Sequence, residues 1–268
     1  MRTPAGQYLL AWEQDRLDHA VADVFGYHAV QLGLPEVDGL RANRMPHRWV
    51  AAASLRVPEP VSMPPPADGL ITTQSPDLPV ALHCEFDALP FPNQSLDLVV
   101  LPHSLELARD PHLTLSEVER VLVPEGRVMI LGFNPSSLWG WRHKVGRGGE
   151  RLGVGMQARS FLPIGGERLG YRRLRDWLRL LSFEVEGGRF GCYRPPYASQ
   201  RWLDRTAWME HKGERWWPVL GAVYFLVAVK RVRGMRLVGL VRKEARRAQS
   251  RPAVVANRQR EMKKEQPR

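Results

Sequence analysis

The stretch from Val80 to Phe133, VALHCEFDALPFPNQSLDLVVLPHSLELARDPHLTLSEVERVLVPEGRVMILGF, constrains the fold more than any other part of the chain. It holds three short apolar runs, Val80–Leu82, Leu96–Leu101 and Val128–Leu131. Near-continuous apolar runs of this length suit strands buried on both faces, not strands with one side in water. Asp110-Pro111, between the second and third runs, offers an N-cap aspartate followed by proline at the first helical position. Leu115, Val118 and Leu122 then fall at i, i+3 and i+7, so a helix with one apolar face is predicted, ending at Pro124-Glu125-Gly126. Strand, strand, helix, strand with short connections describes a parallel sheet.

In order and spacing this stretch resembles the middle of class I (Rossmann-like) S-adenosylmethionine-dependent methyltransferases, in the small-molecule-type branch. Glu85…Leu89-Pro90-Phe91…Ser95-Leu96-Asp97 follows the branch pattern acid-x-x-x-Leu-Pro-Phe-x-x-x-Ser-Phe-Asp. Glu117-Val118-Glu119-Arg120-Val121-Leu122-Val123-Pro124-Glu125-Gly126 follows its Glu-Val-x-Arg-Val-Leu-x-Pro-Gly-Gly helix. The resemblance implies an α/β fold of three layers, doubly wound around a mostly parallel sheet with an antiparallel last strand. It also implies S-adenosylmethionine as methyl donor and a small-molecule acceptor.

Ahead of this block, Tyr8, Leu9, Trp12, Leu17, Val21 and Val24 are spaced for one or two short helices. Val24 to Gly33 is the candidate first strand, and a second is expected within Arg48 to Ala53. Residues 58–79 are rich in proline and read as a loop in place of a helix. After the block, Leu174, Trp177, Leu178 and Leu181 mark a helix over Arg172 to Leu181. Phe183-Glu184-Val185 begins a strand, an aromatic lid-like insertion is read over 193–218, and Val223 to Val229 closes the sheet.

Methyl transfer from a sulfonium needs alignment and exclusion of water more than a reacting side chain. The residues to seek are therefore binding groups. In the related family a glycine-rich turn after the first strand lets the backbone approach the donor without a Cβ in the way. Gly33 and Leu34 stand there, with a single glycine in register and no acid just ahead. The family also ends its second strand with an acid, and no acid occurs between Asp38 and Glu59. The resemblance assigns Glu85 to the adenine amino group, the Phe86 backbone to the ring, and His103 to the methionine end. Asn134 and Trp139, after the third strand of the block, are the candidate acceptor-side residues. The alternative expectation is a methyltransferase-like binding module without catalytic activity.

The net charge of +11 is not spread evenly. Lys230 to Arg268 holds fourteen basic and three acidic residues, and the rest of the chain balances at twenty-five of each. A methyltransferase-like domain over 1–232 and a disordered basic tail over 233–268 are predicted. The tail is expected to make weak contact with nucleic acid or an anionic surface. Cys84 and Cys192 form no CxxC pair, nothing at the start resembles a secretory signal, and a cytoplasmic protein is expected. The apolar run Leu220–Val229 is too short to span a bilayer. No HExxH, GxSxG or phosphate-loop pattern occurs, and no metal site is expected. Gly153-Val154-Gly155-Met156-Gln157-Ala158 matches a dinucleotide fingerprint but follows no strand.

Overall fold

The computed structural model describes residues 3–53, 80–141, 168–195 and 199–232. The expectations for the proline-rich stretch 58–79, the Gly153 fingerprint and the basic tail 233–268 lie outside these residues. The described residues belong to one compact unit that ends at Val232.

Helix α1 spans Pro4–Ala22. The Thr3 side chain accepts a hydrogen bond from the Gly6 N–H at 3.2 Å, and Pro4 occupies the first turn, where its missing N–H costs nothing. Ala5, Leu9, Glu13, Leu17 and Val21 are buried, one residue per turn. Strands β1 (His28–Leu32), β2 (His47–Ala53), β3 (Leu82–Cys84), β4 (Leu96–Pro102) and β5 (Leu122–Phe133) run parallel to one another. Between β4 and β5 lie α2 (Ser104–Leu107) and α3 (Pro111–Val121). Helix α4 (Tyr171–Leu180) leads to β6 (Phe183–Gly191). Helices α5 (Gln200–Arg205) and α6 (Trp208–Trp216) then precede β7 (Val223–Lys230).

The seven strands form one sheet in the order β3-β2-β1-β4-β5-β7-β6. β7 runs antiparallel to both β5 and β6. This is the mixed, mostly parallel α/β sheet of class I methyltransferases, with the reversed last strand. The first strand is shorter than its apolar run suggests: it starts at His28 because the Asp97 carboxylate accepts the Tyr27 and His28 N–H groups at 2.8 and 2.9 Å, anchoring the turn that leads into it.

Alternate residues of the buried strands feed two cores. Val30, Leu32, Val99, Leu101, Val128 and Ile130 face Leu115 and Val118 of α3 and Leu174 and Leu178 of α4. Ala29, Leu98, Val100, Met129 and Leu131 share the other core with Leu9, Leu17 and Val21 of α1. Residues 33–46 form only turns, and Val37, Leu40 and Met45 supply the buried surface there. Pro35, Gly39 and Pro46 interrupt any helical pattern in that segment.

The α3 start follows the sequence reading: Asp110 Oδ1 accepts from the His112 and Leu113 N–H groups at 2.9 and 3.1 Å. The helix stops at Val121, before Pro124, because Leu122 is already extended as the first residue of β5.

Candidate functional site

The carboxyl ends of β1 to β5 lie on one edge of the sheet, where ligands of open α/β folds bind. Four predicted residues reach that edge from four different strands: Gly33 follows β1, Glu85 follows β3, His103 follows β4 and Asn134 follows β5. Gly33 has φ +106°, and a Cβ placed there would come within 2.6 Å of Ser104 Oγ. The chain passes this point only because no side chain is present.

Gln31 shapes the turn that follows. Its Nε2 donates to the Leu34 and Val37 carbonyls at 2.9 and 2.6 Å, and its Oε1 accepts from the Gly39 N–H at 2.8 Å. A neutral amide, able to donate and accept, thus stands where the related family carries an acid, and it folds the segment Leu34–Gly39 onto itself. Leu34 is half-buried on this turn.

Glu85 is exposed one residue past Cys84, and Phe86 directs its ring into the core at 4% exposure. Cys84 pairs with Ala53 on β2, and Ala51 of β2 pairs with Leu32 of β1, so Glu85 and Gly33 end neighbouring rows of the same edge. The loop 89–93 beside them is fastened by Arg120. Its guanidinium donates to the Leu89 and Phe91 carbonyls at 2.9 and 3.0 Å and to Glu117 at 2.8 Å. This hydrogen-bonded pair holds the Glu117 carboxyl below and the Arg120 guanidinium above their ordinary pKa values.

His103 is wholly buried, with φ +56°, between two carboxylates. Its Nε2 lies 2.8 Å from Glu13 Oε1 and its Nδ1 lies 3.2 Å from Glu106 Oε2. Glu106 Oε1 also accepts the Phe133 N–H at 2.5 Å, and the imidazole stacks on the Phe133 ring at 4.2 Å between centroids. Burial by itself would favour the neutral ring, but the two carboxylates outweigh it and raise the His103 pKa to about 10. The imidazole is therefore a cation at neutral pH. The second oxygen of Glu13, Oε2, is buried without a hydrogen-bond partner.

Past β5, the Asn134 side chain ties the edge together. Its Nδ2 donates to the Val219 and Gly221 carbonyls at 2.6 and 2.9 Å, and its Oδ1 accepts the Ser136 N–H at 3.0 Å. Trp139 is buried at 4% exposure and donates from Nε1 to the Arg194 carbonyl at 2.7 Å. Asn134 also borders a cleft of about 840 Å³ with Ser136, Tyr171, Arg172, Arg175 and Phe190. Arg175 Nε is buried there with no hydrogen-bond partner.

The residues that sequence reading missed are Glu13, Glu106 and Gln31. Glu13 stands on the buried stripe Leu9–Glu13–Leu17–Val21, and an acid at a core position of a helix is the signal that would have found it. Among the described residues no helix is long and apolar enough to cross a membrane, and no His, Cys, Asp and Glu cluster could hold a metal.

In strand order and direction the sheet is that of class I methyltransferases. Residues 66–130 match the family described as "Methyltransferase domain". The chain is 32% identical over 158 residues to the uncharacterized protein YafS of Escherichia coli strain K12, covering 58% of this chain and 56% of that protein. It is 38% identical over 60 residues to a malonyl-[acyl-carrier protein] O-methyltransferase of Halorhodospira halophila, covering 22% of this chain and 20% of that protein. It thus spans about half the length, or less, of the curated relatives it matches. Among solved structures it is similar to a putative methyltransferase in complex with the Trm112 activator of Haloferax volcanii. That likeness has a TM-score of 0.48 at 17% identity, over 86% of this chain and 94% of that one. A possible histamine N-methyltransferase of Thermotoga maritima is matched at a TM-score of 0.47 and 13% identity, over 84% of this chain and 97% of that one.

Proposed function

We propose that the protein is an S-adenosylmethionine-dependent methyltransferase acting on a small-molecule acceptor. The observation that carries this reading is Gly33, held in the left-handed region where a Cβ would strike Ser104, at the carboxyl edge of β1. A backbone bare of side chain at that place suits a donor that must lie against the chain. S-Adenosylmethionine, when bound, supplies an already activated methyl group.

Around it, each residue has a binding task. Gly33 and Leu34 offer backbone beside the donor's middle. Glu85, exposed just past β3, would accept from the adenine amino group, and the Phe86 backbone would meet the ring. His103 and its two carboxylates would underlie the methionine end, on the same edge as Gly33. Asn134 and Trp139 hold the acceptor side by fixing the post-β5 turn. The nearby cleft offers Arg172 and Arg175, which suits an acceptor with an anionic group.

Calorimetric titration with S-adenosylmethionine and its demethylated product tests this directly. Binding at micromolar strength, about −8 kcal/mol, is expected. A folded protein that binds neither ligand would instead be a methyltransferase-like binding module. Gln31 on its own loop and the lack of an acid at the end of β2 would then be the physical reason.

A further inference from the structure

The segment between β6 and β7 presents apolar surface to solvent in an unusual concentration. Trp202, Trp208, Trp216 and Trp217 are 52%, 54%, 71% and 53% exposed, and Val219 and Leu220 follow at 54% and 41%. These six exposed apolar side chains fall between Trp202 and Leu220, and exposed apolar groups that gather mark an interaction surface where scattered ones do not. The inner side of the same segment is well fixed. Leu203 is 1% exposed, and Gly213 lies so close to Tyr193 that a Cβ would fall 2.4 Å from its ring. Glu210 turns inward, its Oε1 accepting the Cys192 N–H at 3.1 Å while its Oε2 accepts from Tyr193 N–H and the Tyr8 hydroxyl of α1. The indoles are therefore outside because the helices are held that way round.

Their neighbours give the patch its chemistry. Arg201, Arg205, Lys212 and Arg215 are exposed on the same two helices, against the exposed acids Asp204 and Glu214. Arg205 lies over the Trp202 ring at 5.3 Å and Lys212 over the Trp208 ring at 5.1 Å. Tryptophan with an apolar body and a polar N–H, interleaved with cations, is the composition of helices that rest in the headgroup layer of a bilayer. β6 ends and β7 begins at the carboxyl edge, so the patch belongs to the edge that holds Gly33 and His103.

We propose that α5, α6 and the Trp217–Leu220 turn dock on the surface of a bilayer rich in anionic phospholipid. The indoles would enter the headgroup layer and the four cations would meet lipid phosphate. The edge of the sheet would then face the membrane, whatever reaction is carried out there.

The test is co-sedimentation of the full chain with vesicles of phosphatidylcholine alone and with vesicles containing equal parts of phosphatidylglycerol, at about 150 mM salt. The expected result is association with the anionic vesicles only. The triple variant Trp208→Ala, Trp216→Ala, Trp217→Ala should lose about tenfold in partitioning while its far-ultraviolet circular dichroism is unchanged. Undiminished binding by that variant would overturn the proposal and assign the attraction to basic charge elsewhere in the chain. Failure of the parent to bind would overturn it too. So would self-association of the parent that the variant abolishes, since the patch would then bind a second copy.

Discussion

Glu13 Oε1 lies 2.8 Å from His103 Nε2, although ninety residues separate the two in sequence, and both side chains are fully buried. The contact joins α1 to the carboxyl end of β4, and Glu106 completes it from the other side of the imidazole. The imidazole and both carboxyl groups are packed together away from water. Such an arrangement persists only where each group is hydrogen-bonded, and removing one member costs more than the triad contributes.

Stability should therefore depend on pH in a defined direction. His103 has a folded pKa of about 10 against an ordinary value of 6.5, so its contribution is complete below 6.5 and is lost as pH rises toward 10. The urea midpoint of the parent is expected to fall between about pH 6.5 and 8, below the range where the buried thiols Cys84 and Cys192 would ionise on unfolding. His103→Gln should be less stable throughout and flat across that window. An equal slope in parent and variant would dismiss the charged triad.

Glu13→Gln keeps the shape of the side chain and removes its charge. A loss of about 3 kcal/mol is expected from urea unfolding at neutral pH, since a buried cation loses one of its two partners. A change below about 1 kcal/mol would mean that Glu106 alone suffices.

Gly33→Ala introduces a Cβ at φ +106° and 2.6 Å from Ser104 Oγ. The variant is expected to lose more than about 1 kcal/mol of stability and to bind S-adenosylmethionine more weakly. Calorimetric titration of the folded variant separates the two effects. Unchanged affinity would remove the Gly33 turn from the donor site.

Glu85→Ala removes an exposed carboxylate whose neighbour Phe86 remains anchored in the core. Donor affinity should fall about tenfold, the worth of one charge-assisted hydrogen bond, with stability within about 0.5 kcal/mol of the parent. Full affinity in this variant would place the adenine elsewhere.

Arg120→Lys retains the charge but loses the fork that serves Leu89, Phe91 and Glu117 together. About 2 kcal/mol of destabilisation is expected, from two carbonyl bonds at about 1 kcal/mol each. Hydrogen exchange should show the loop Leu89–Asn93 opening faster in the variant. An unchanged exchange rate would show that the Pro90 and Pro92 rings alone hold it.

Much of the fold was legible because its signals are local. The Asp110 cap, the Leu115–Val118 stripe and the apolar runs that became β4 and β5 are each set by a few neighbouring residues and their backbone preferences. Phe86 and Asn134 show where local reading stops. The sequence places both beside a strand end, but only the folded chain shows the Phe86 ring in the core and the Asn134 amide bonded to residues 219 and 221.

The sequence by itself determined the parallel α/β sheet, its strand-end residues and the glycine after the first strand, since periodicity and turn chemistry act over short distances. Tertiary structure alone decided that Glu13 meets His103, that Gln31 closes the loop where an acid was expected, and that four indoles face outward. Those outcomes depend on which strand ends the topology brings together and on the desolvation of groups far apart in the chain.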